Sequence, residues 1–294
     1  MDDQDYIEEL DEQEEDALLQ QRVVYTIPGM KKAKVQKDIT YKTVEDLELK
    51  LDVYYPADHS KSVLPAVVLI HGDGPQEFLK DIKDSGQYVS WGQLIAASGL
   101  IAVTANHRST EELHNVAGVA NDVDDLISYV RDHSKKLHID GEKLGIWTAS
   151  GGGPFGLRAG LFETPPFVNC IVCYYGFPEL RAYYDGLYGG DEQGIAQTPP
   201  IFSEDDFAEF SASESILNRA GDVAPIFIAR AGLDYPILNR ALDSFINEAL
   251  SQNVELTLMN HPTGQHGFDI RDDDARSSEI IQATLQFLQT HLLQ

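Results

Sequence analysis

The chain has 294 residues, of which 43% are hydrophobic, and a formal net charge of −26 at pH 7. This is the composition of a globular protein, and the length is near the upper limit for a single hydrophobic core. The negative charge argues against nucleic acid and anionic membranes as partners, because binding to either relies on basic residues. No apolar run approaches the roughly 20 residues that a membrane-spanning helix needs.

The first 20 residues form an acidic block without Lys or Arg. Ten acidic residues lie there, which leaves a charge of −16 on the rest of the chain. Blocks of like charge are usually solvated, so we interpret residues 1–20 as an acidic arm and residues 21–294 as one domain. The alternative is a short amphipathic helix that docks on another subunit and makes a homo-oligomer; its apolar positions would be Ile7, Leu10, Leu18 and Leu19.

The N-terminal sequence lacks the basic and apolar pattern of a secretory signal, which predicts a cytoplasmic location. The two cysteines, Cys170 and Cys173, agree with a reducing compartment. They form a C-x-x-C pair, but on a predicted strand, where residues three apart point to opposite faces. We therefore expect two core residues rather than a redox or zinc site.

Residues 22–55 contain alternating apolar and polar positions, which is typical of antiparallel strands with one solvent-facing side. Thr43–Asp46 is the predicted hairpin connection. Beyond residue 60 the pattern changes to apolar runs that alternate with helical spacing, which predicts a mostly parallel sheet with helices on both faces. The predicted strands here lie at 66–70, 100–104, 144–147, 167–174, 224–230 and 254–259, and the predicted helices include 86–98 and one ending near 292.

One stretch, residues 178–222, is too long for a simple connection and is rich in Tyr, Gly and Pro. Two interpretations remain open for it. It forms a small cap or lid over a pocket, or it is a surface insertion with no part in binding.

Ser150 follows a predicted buried strand and precedes a glycine-rich turn and a helical pattern. A serine on such a strand-to-helix turn is typical of a nucleophile elbow, where the tight backbone needs small neighbours. Ala149, Gly151 and Gly152 meet this need. The alternative is an ordinary glycine-rich loop with a surface serine.

Reactive groups in open α/β sheets collect after the carboxyl ends of the strands. His71-Gly72-Asp73-Gly74 follows one strand, Asp234 follows another, and the loop that contains His266 follows the last. The chain order Ser150, Asp234, His266 is that of a nucleophile, a carboxylate and a base. A serine hydroxyl needs such a base, and the carboxylate fixes the imidazole tautomer.

Each of these residues has an alternative interpretation. Asp234 is also a plausible cap for the helix that begins near Pro236. His261 competes with His266, which we favour because its glycine-flanked loop can reach across the sheet. We expect His71 to brace a loop rather than act as a base. His107 and His114 have no predicted partner.

These residues together resemble the α/β-hydrolase superfamily, and within it the dienelactone hydrolase-like and acetyl-esterase-like serine hydrolases. The resemblance covers residues 33–292, and its most specific motif is Gly264-Gln265-His266-Gly267-Phe268-Asp269. It implies an α/β fold with a mostly parallel eight-stranded sheet. The position two before the serine, usually glycine in the superfamily, is Thr148 here. A serine in place of the cysteine nucleophile of dienelactone hydrolases proper argues against that activity.

The resemblance implies a serine hydrolase that cleaves a carboxylic ester of a small molecule, without metal or organic cofactor. Ser150, Asp234 and His266 would be catalytic. An amidase, peptidase or carbon–carbon hydrolase would use the same three residues, and a non-catalytic binding protein or a protein that assembles through its acidic arm are the alternatives of other classes. The implied oxyanion-hole backbone comes from Asp73, Gly74 and Gly151, and the expected pocket aromatics are Trp91, Tyr175, Tyr183 and Tyr184.

Overall fold

The computed structural model describes residues 17–60, 62–162, 165–189 and 198–293. Within these ranges the backbone forms one eight-stranded sheet. Most of the acidic arm, residues 1–16, lies outside the described residues. The arm's role in assembly therefore stays a prediction. The strands are β1 (Lys34–Val44), β2 (Leu47–Tyr55), β3 (Leu64–Ile70), β4 (Ile101–Ala105), β5 (Ile139–Ala149), β6 (Val168–Tyr174), β7 (Ile226–Ala231) and β8 (Leu256–His261).

The spatial order of the strands is β1-β2-β4-β3-β5-β6-β7-β8. The first two strands pair antiparallel, β2 also runs antiparallel to β4, and all other neighbours are parallel. The sheet therefore has the predicted mostly parallel form. The carboxyl ends of β3, β5, β7 and β8 lie along the same edge, which brings the loops after them together.

Helices cover both faces of the sheet, as its nearly continuous apolar strands require. The helices are α1 (Gln76–Leu79), α2 (Gly86–Ala97), α3 (Val116–Asp132), α4 (Ser134–Leu137), α5 (Gly153–Leu161), α6 (Leu180–Tyr188), α7 (Glu204–Glu209), α8 (Ala212–Asn218), α9 (Pro236–Ser251), α10 (Phe268–Arg271) and α11 (Ala275–Leu292). Helices α3, α5 and α9 contribute to the buried cluster on one face, and α2 and α11 to that on the other. No helix among the described residues has both the length and the apolar character to cross a bilayer.

The expectation of a solvent-facing side is wrong for β2. Its alternation ends at Leu51, and from there to Tyr55 every residue is buried. Asp52, which the pattern placed on the wet face, lies 3.1 Å from the buried ammonium group of Lys83. A paired charge can occupy a buried position, so the polar residue did not mark an exposed face.

Strand β5 extends further than the apolar run at 144–147 predicts. It begins at Ile139, which pairs with Leu64 on β3 before the register shifts. The polar residues between Ile139 and Leu144 are partly exposed, so this half of the strand carries no hydrophobic signal.

The segment 178–222 contains α6, α7 and α8 around an aromatic cluster. The ring of Tyr184 lies 5.1 Å from that of Tyr188 and 5.7 Å from that of Phe207. An isolated antiparallel bridge between Glu179 and Ser211 ties the segment's two described parts together. Residues 190–197 within it lie outside the described residues.

Candidate active site

Ser150 lies at the carboxyl end of β5 and opens a 3-10 turn that leads into α5. Its φ angle is 54°, a left-handed conformation that non-glycine residues rarely adopt. Close contacts surround this turn, since a Cβ atom added to Gly152 would lie 2.1 Å from the carbonyl oxygen of His71. The strained backbone and its small neighbours give the geometry of a nucleophile elbow.

Thr148 departs from the glycine usual in the superfamily, and the facing helix accommodates it. The residue is fully buried, and a Cβ atom added to Gly156 on α5 would lie 2.5 Å from the Cβ atom of Thr148. The close approach between strand and helix is thus provided by a glycine on the helix rather than on the strand.

The His266 ring connects Ser150 to Asp234. Its Nε2 atom lies 2.8 Å from the Ser150 Oγ atom, and its Nδ1 atom lies 2.9 Å from both carboxylate oxygens of Asp234. With the proton on Nδ1, the ring donates to the carboxylate and accepts from the serine hydroxyl. The Asp234 side chain is fully buried, whereas 26% of the His266 side chain is exposed.

The residues named in the competing interpretations have other partners. The Asp234 carboxylate accepts the Tyr235 backbone N–H at 2.7 Å in addition to its bond with His266, but helix α9 begins after Tyr235 and has no side-chain cap. His261 is buried at the end of β8, where its Nε2 atom faces Ser277 at 3.1 Å and Asp274 at 3.2 Å. It braces the start of α11.

The loop after β3 lies against the elbow. A Cβ atom added to Gly151 would lie 3.2 Å from the backbone nitrogen of Asp73, so these two stretches of backbone are adjacent. The Asp73 carboxylate accepts hydrogen bonds from the backbone N–H and hydroxyl of Thr110 and from the Tyr183 hydroxyl. The Gly74 carbonyl accepts from Ser109 at 2.6 Å. These bonds fix the loop beside the elbow.

His71 is fully buried and stacks on His107, with ring centroids 3.5 Å apart. Its Nε2 atom accepts the His107 backbone N–H, and its Nδ1 atom donates to the Gly72 carbonyl. Burial lowers the pKa of His71 well below the usual value, which suits a neutral ring in this bracing role. The His107 partner was missed in the sequence because it lies after β4, 36 residues away. His114 is at the surface and contacts the Thr198 carbonyl.

A cavity of about 210 Å³ opens beside Ser150 and His266. Its floor and walls are mainly apolar and come from the loop after β3, from α1 and α2, and from the loop that carries His266. Leu18 and Leu19, near the start of the described residues, form a further wall. Among the described residues of 178–222, none lines this cavity.

The predicted pocket aromatics take different positions. Tyr175 lines the cavity. Trp91 does not, because it is fully buried behind the wall, where its indole N–H donates to Asp269 at 2.8 Å. Tyr183 lies beside Asp73 outside this cavity, and Tyr184 belongs to the aromatic cluster of 178–222.

Asp269, in α10 directly after the loop of His266, is a buried anchor for the cavity wall. Its carboxylate accepts hydrogen bonds from Trp91, from Gln87 at 3.0 Å and from the Tyr175 hydroxyl at 2.5 Å. Burial raises the pKa of this carboxyl, and the three donors oppose that effect. The Tyr175 ring lies 4.7 Å from the His266 ring. By holding the Tyr175 hydroxyl, Asp269 therefore also fixes an aromatic ring beside the imidazole.

The two cysteines are fully buried in β6. Burial raises the pKa of each thiol to about 12, so neither is a thiolate at neutral pH. We expect a thiol reagent such as Ellman's reagent to label neither Cys170 nor Cys173 in the folded protein and both after denaturation in guanidinium chloride. Rapid labelling of the native protein would contradict their assignment to the core.

Comparisons with known proteins agree with this architecture. The BD-FAE family model matches residues 51–176, which span β2 to the turn after β6. Similar solved structures include the native esterase Est2 of the Planctomycetes species Thermogutta terrifontis, with a TM-score of 0.66 and 20% identity over 90% of this chain and 94% of that one. The butyrate-bound form of that esterase has a TM-score of 0.64 and 21% identity over 90% of this chain and 95% of that one.

A curated relative is the non-reducing polyketide synthase atr1 of Stereocaulon alpinum, which is 24% identical over 170 residues. The aligned region is 52% of this chain but only 7% of the synthase. The likeness therefore concerns a small part of that protein.

The strand order, the helices on both faces and these structural matches define the class of this protein: it has the α/β-hydrolase fold. The predicted fold, including the eight-stranded, mostly parallel sheet, is confirmed.

Proposed function

We propose that this protein is a serine hydrolase that cleaves carboxylic esters of small molecules through an acyl-enzyme. The observation that carries the proposal is the continuous chain of contacts from the Ser150 hydroxyl through His266 to the buried carboxylate of Asp234. A serine hydroxyl is a weak nucleophile until a base takes its proton, and this arrangement supplies the base and its orienting group.

In acylation, the Ser150 Oγ atom attacks the ester carbonyl carbon as its proton passes to the Nε2 atom of His266. The carbonyl oxygen becomes an oxyanion, which the backbone N–H groups of Gly151 and of Asp73 or Gly74 would stabilise. The tetrahedral intermediate collapses, the ester C–O bond breaks, and the alcohol leaves with the proton from His266.

Deacylation repeats these steps with water as the nucleophile. His266 takes a proton from water as the oxygen attacks the acyl carbon, then returns it to the Ser150 Oγ atom as the carboxylic acid departs. Asp234 stabilises the imidazolium that forms in both halves of the cycle. All three catalytic roles thus use side chains of this chain.

The similar structures support an ester as the substrate. They are those of an esterase recorded in propionate-bound and butyrate-bound forms and phosphorylated by paraoxon. That esterase is only about one-fifth identical to this chain, so its activity supports the proposal without fixing the substrate.

A panel of esters with varied acyl and alcohol groups tests the proposal, with the matched amide of each acyl group beside it. We expect hydrolysis of activated esters with saturation kinetics and much slower cleavage of the amides. Cleavage of the amides at comparable rates would show an amidase rather than an esterase. The absence of turnover with every compound would favour a binding protein.

A further inference from the structure

The wall that closes the cavity beside Ser150 comes from a part of the chain that the α/β core does not contain. Leu18 and Leu19 precede β1 and line the cavity together with Phe78 and Ile270. Leu19 also packs against the buried cluster under α2. Two leucines at the end of an acidic block therefore help to line the space next to the serine.

The segment that carries these leucines is tied to α2 and to α10. The backbone N–H of Val23 donates to the Ser90 hydroxyl at 2.9 Å, and that of Val24 donates to the Asp269 carbonyl at 2.8 Å. A Cβ atom added to Gly86 would lie 2.4 Å from the Gln21 carbonyl oxygen, so the segment lies directly on the first turn of α2. The leucines are thus held at a fixed position.

We propose that Leu18 and Leu19 are specificity-determining residues that close the acyl-binding cavity and restrict the substrate to esters of short, apolar carboxylic acids. The inference rests on the proposed function. The acyl group stays bonded to the Ser150 Oγ atom until water attacks, so a preformed cavity at that atom suits the acyl group. The alcohol, in contrast, must leave.

The size and lining of the cavity support this class of substrate. Its volume of about 210 Å³ is below the roughly 300–1,000 Å³ of pockets for drug-sized ligands. Its apolar residues favour a hydrocarbon chain, because removing methylene groups from water is favourable. A longer chain would meet Leu18 and Leu19 and would have to displace a segment held by hydrogen bonds.

The test compares p-nitrophenyl acetate, butyrate and octanoate as substrates of the full-length wild type and the L18A/L19A double variant. We expect the ratio of kcat/KM for octanoate to that for acetate to rise by about tenfold or more in the double variant, the scale on which methylene groups are discriminated in apolar pockets. Leu250→Ala is the matched control, because Leu250 is 57% exposed on α9, and it should keep the wild-type ratio.

Two further variants test the proposal even if L18A/L19A does not fold. Leu19→Trp should reduce the butyrate-to-acetate ratio by filling the cavity. Ser90→Ala removes a bond that positions the segment and should raise the octanoate-to-acetate ratio less than L18A/L19A does. Unchanged ratios in variants that still hydrolyse acetate would overturn this inference alone, whereas a wild type that hydrolyses none of the three esters would overturn the proposed function as well.

Discussion

Replacing Ser150 by Ala should reduce kcat for ester hydrolysis by about 10⁴-fold to 10⁶-fold, the range seen when the nucleophile of a serine triad is removed. The variant lacks the oxygen that would form the acyl-enzyme, while the oxyanion-hole backbone and the cavity remain. Initial rates on p-nitrophenyl acetate at high enzyme concentration measure the residual activity. The matched control is Ser251→Ala, since Ser251 is exposed at the end of α9 and should leave the rate unchanged.

The same variant should fold as the wild type does. The side chain of Ser150 is partly exposed, and the one hydrogen bond described for its hydroxyl is the bond to His266. Unfolding midpoints in urea should therefore agree between variant and wild type. Turnover close to that of the wild type in a folded Ser150→Ala protein would show that another group performs the reaction.

Replacing Asp234 by Asn should reduce kcat by about 10⁴-fold, the effect of the same change in serine proteases. The amide can donate to the Nδ1 atom of His266, which shifts the ring proton to Nε2. The Nε2 atom then faces the Ser150 hydroxyl as a donor and cannot accept its proton. Asn has nearly the same shape as Asp, so the lost activity would result from the changed tautomer of His266 and not from a gap in the packing.

Asp243→Asn serves as the control for this change. Asp243 lies on α9 with 52% of its side chain exposed and pairs with Arg230 at 2.7 Å. A surface pair of this kind contributes about 0–1 kcal/mol to stability, so activity should stay at the wild-type level. Equal activity of Asp234→Asn and Asp243→Asn would contradict the orienting role of Asp234.

The sheet could be predicted from the sequence because its central strands are buried on both faces and leave continuous apolar runs. A pattern of apolar residues does not reveal a buried strand position that holds a paired charge. Asp52 indicated a solvent-facing side of β2, yet it is paired with Lys83 in the 3-10 turn before α2, and no local pattern shows a pairing across 31 residues. The first half of β5 was missed for the related reason that its residues are polar and partly exposed.

The arrangement of Ser150, Asp234 and His266 could be predicted because each follows a strand, and parallel strands bring their carboxyl ends to one edge. The residues that form the walls of the cavity could not be predicted in this way. Trp91 has the chemistry of a pocket residue, but it turns its indole N–H to a buried carboxylate instead. The sequence marked Leu18 and Leu19 only as apolar positions of a possible docking helix. Their place at the cavity depends on hydrogen bonds that residues 23 and 24 make with distant parts of the chain.

The packing of the elbow also depends on a contact between two elements that the local sequence does not show. Thr148 stands where the superfamily usually has glycine, and its larger side chain needs room at the elbow. In the structure Gly156, one turn into α5, provides the missing space. The compensation lies across the strand–helix interface, so it becomes visible only when both elements are placed.

Covalent labelling of the wild type with a fluorophosphonate probe, followed by peptide mass spectrometry, tests the central claim most directly. We predict a single adduct on the Oγ atom of Ser150, formed in the wild type and in Ser251→Ala and not in Ser150→Ala. A folded wild type that forms no adduct, or an adduct on another residue that persists in Ser150→Ala, would contradict the assignment of Ser150 as the nucleophile.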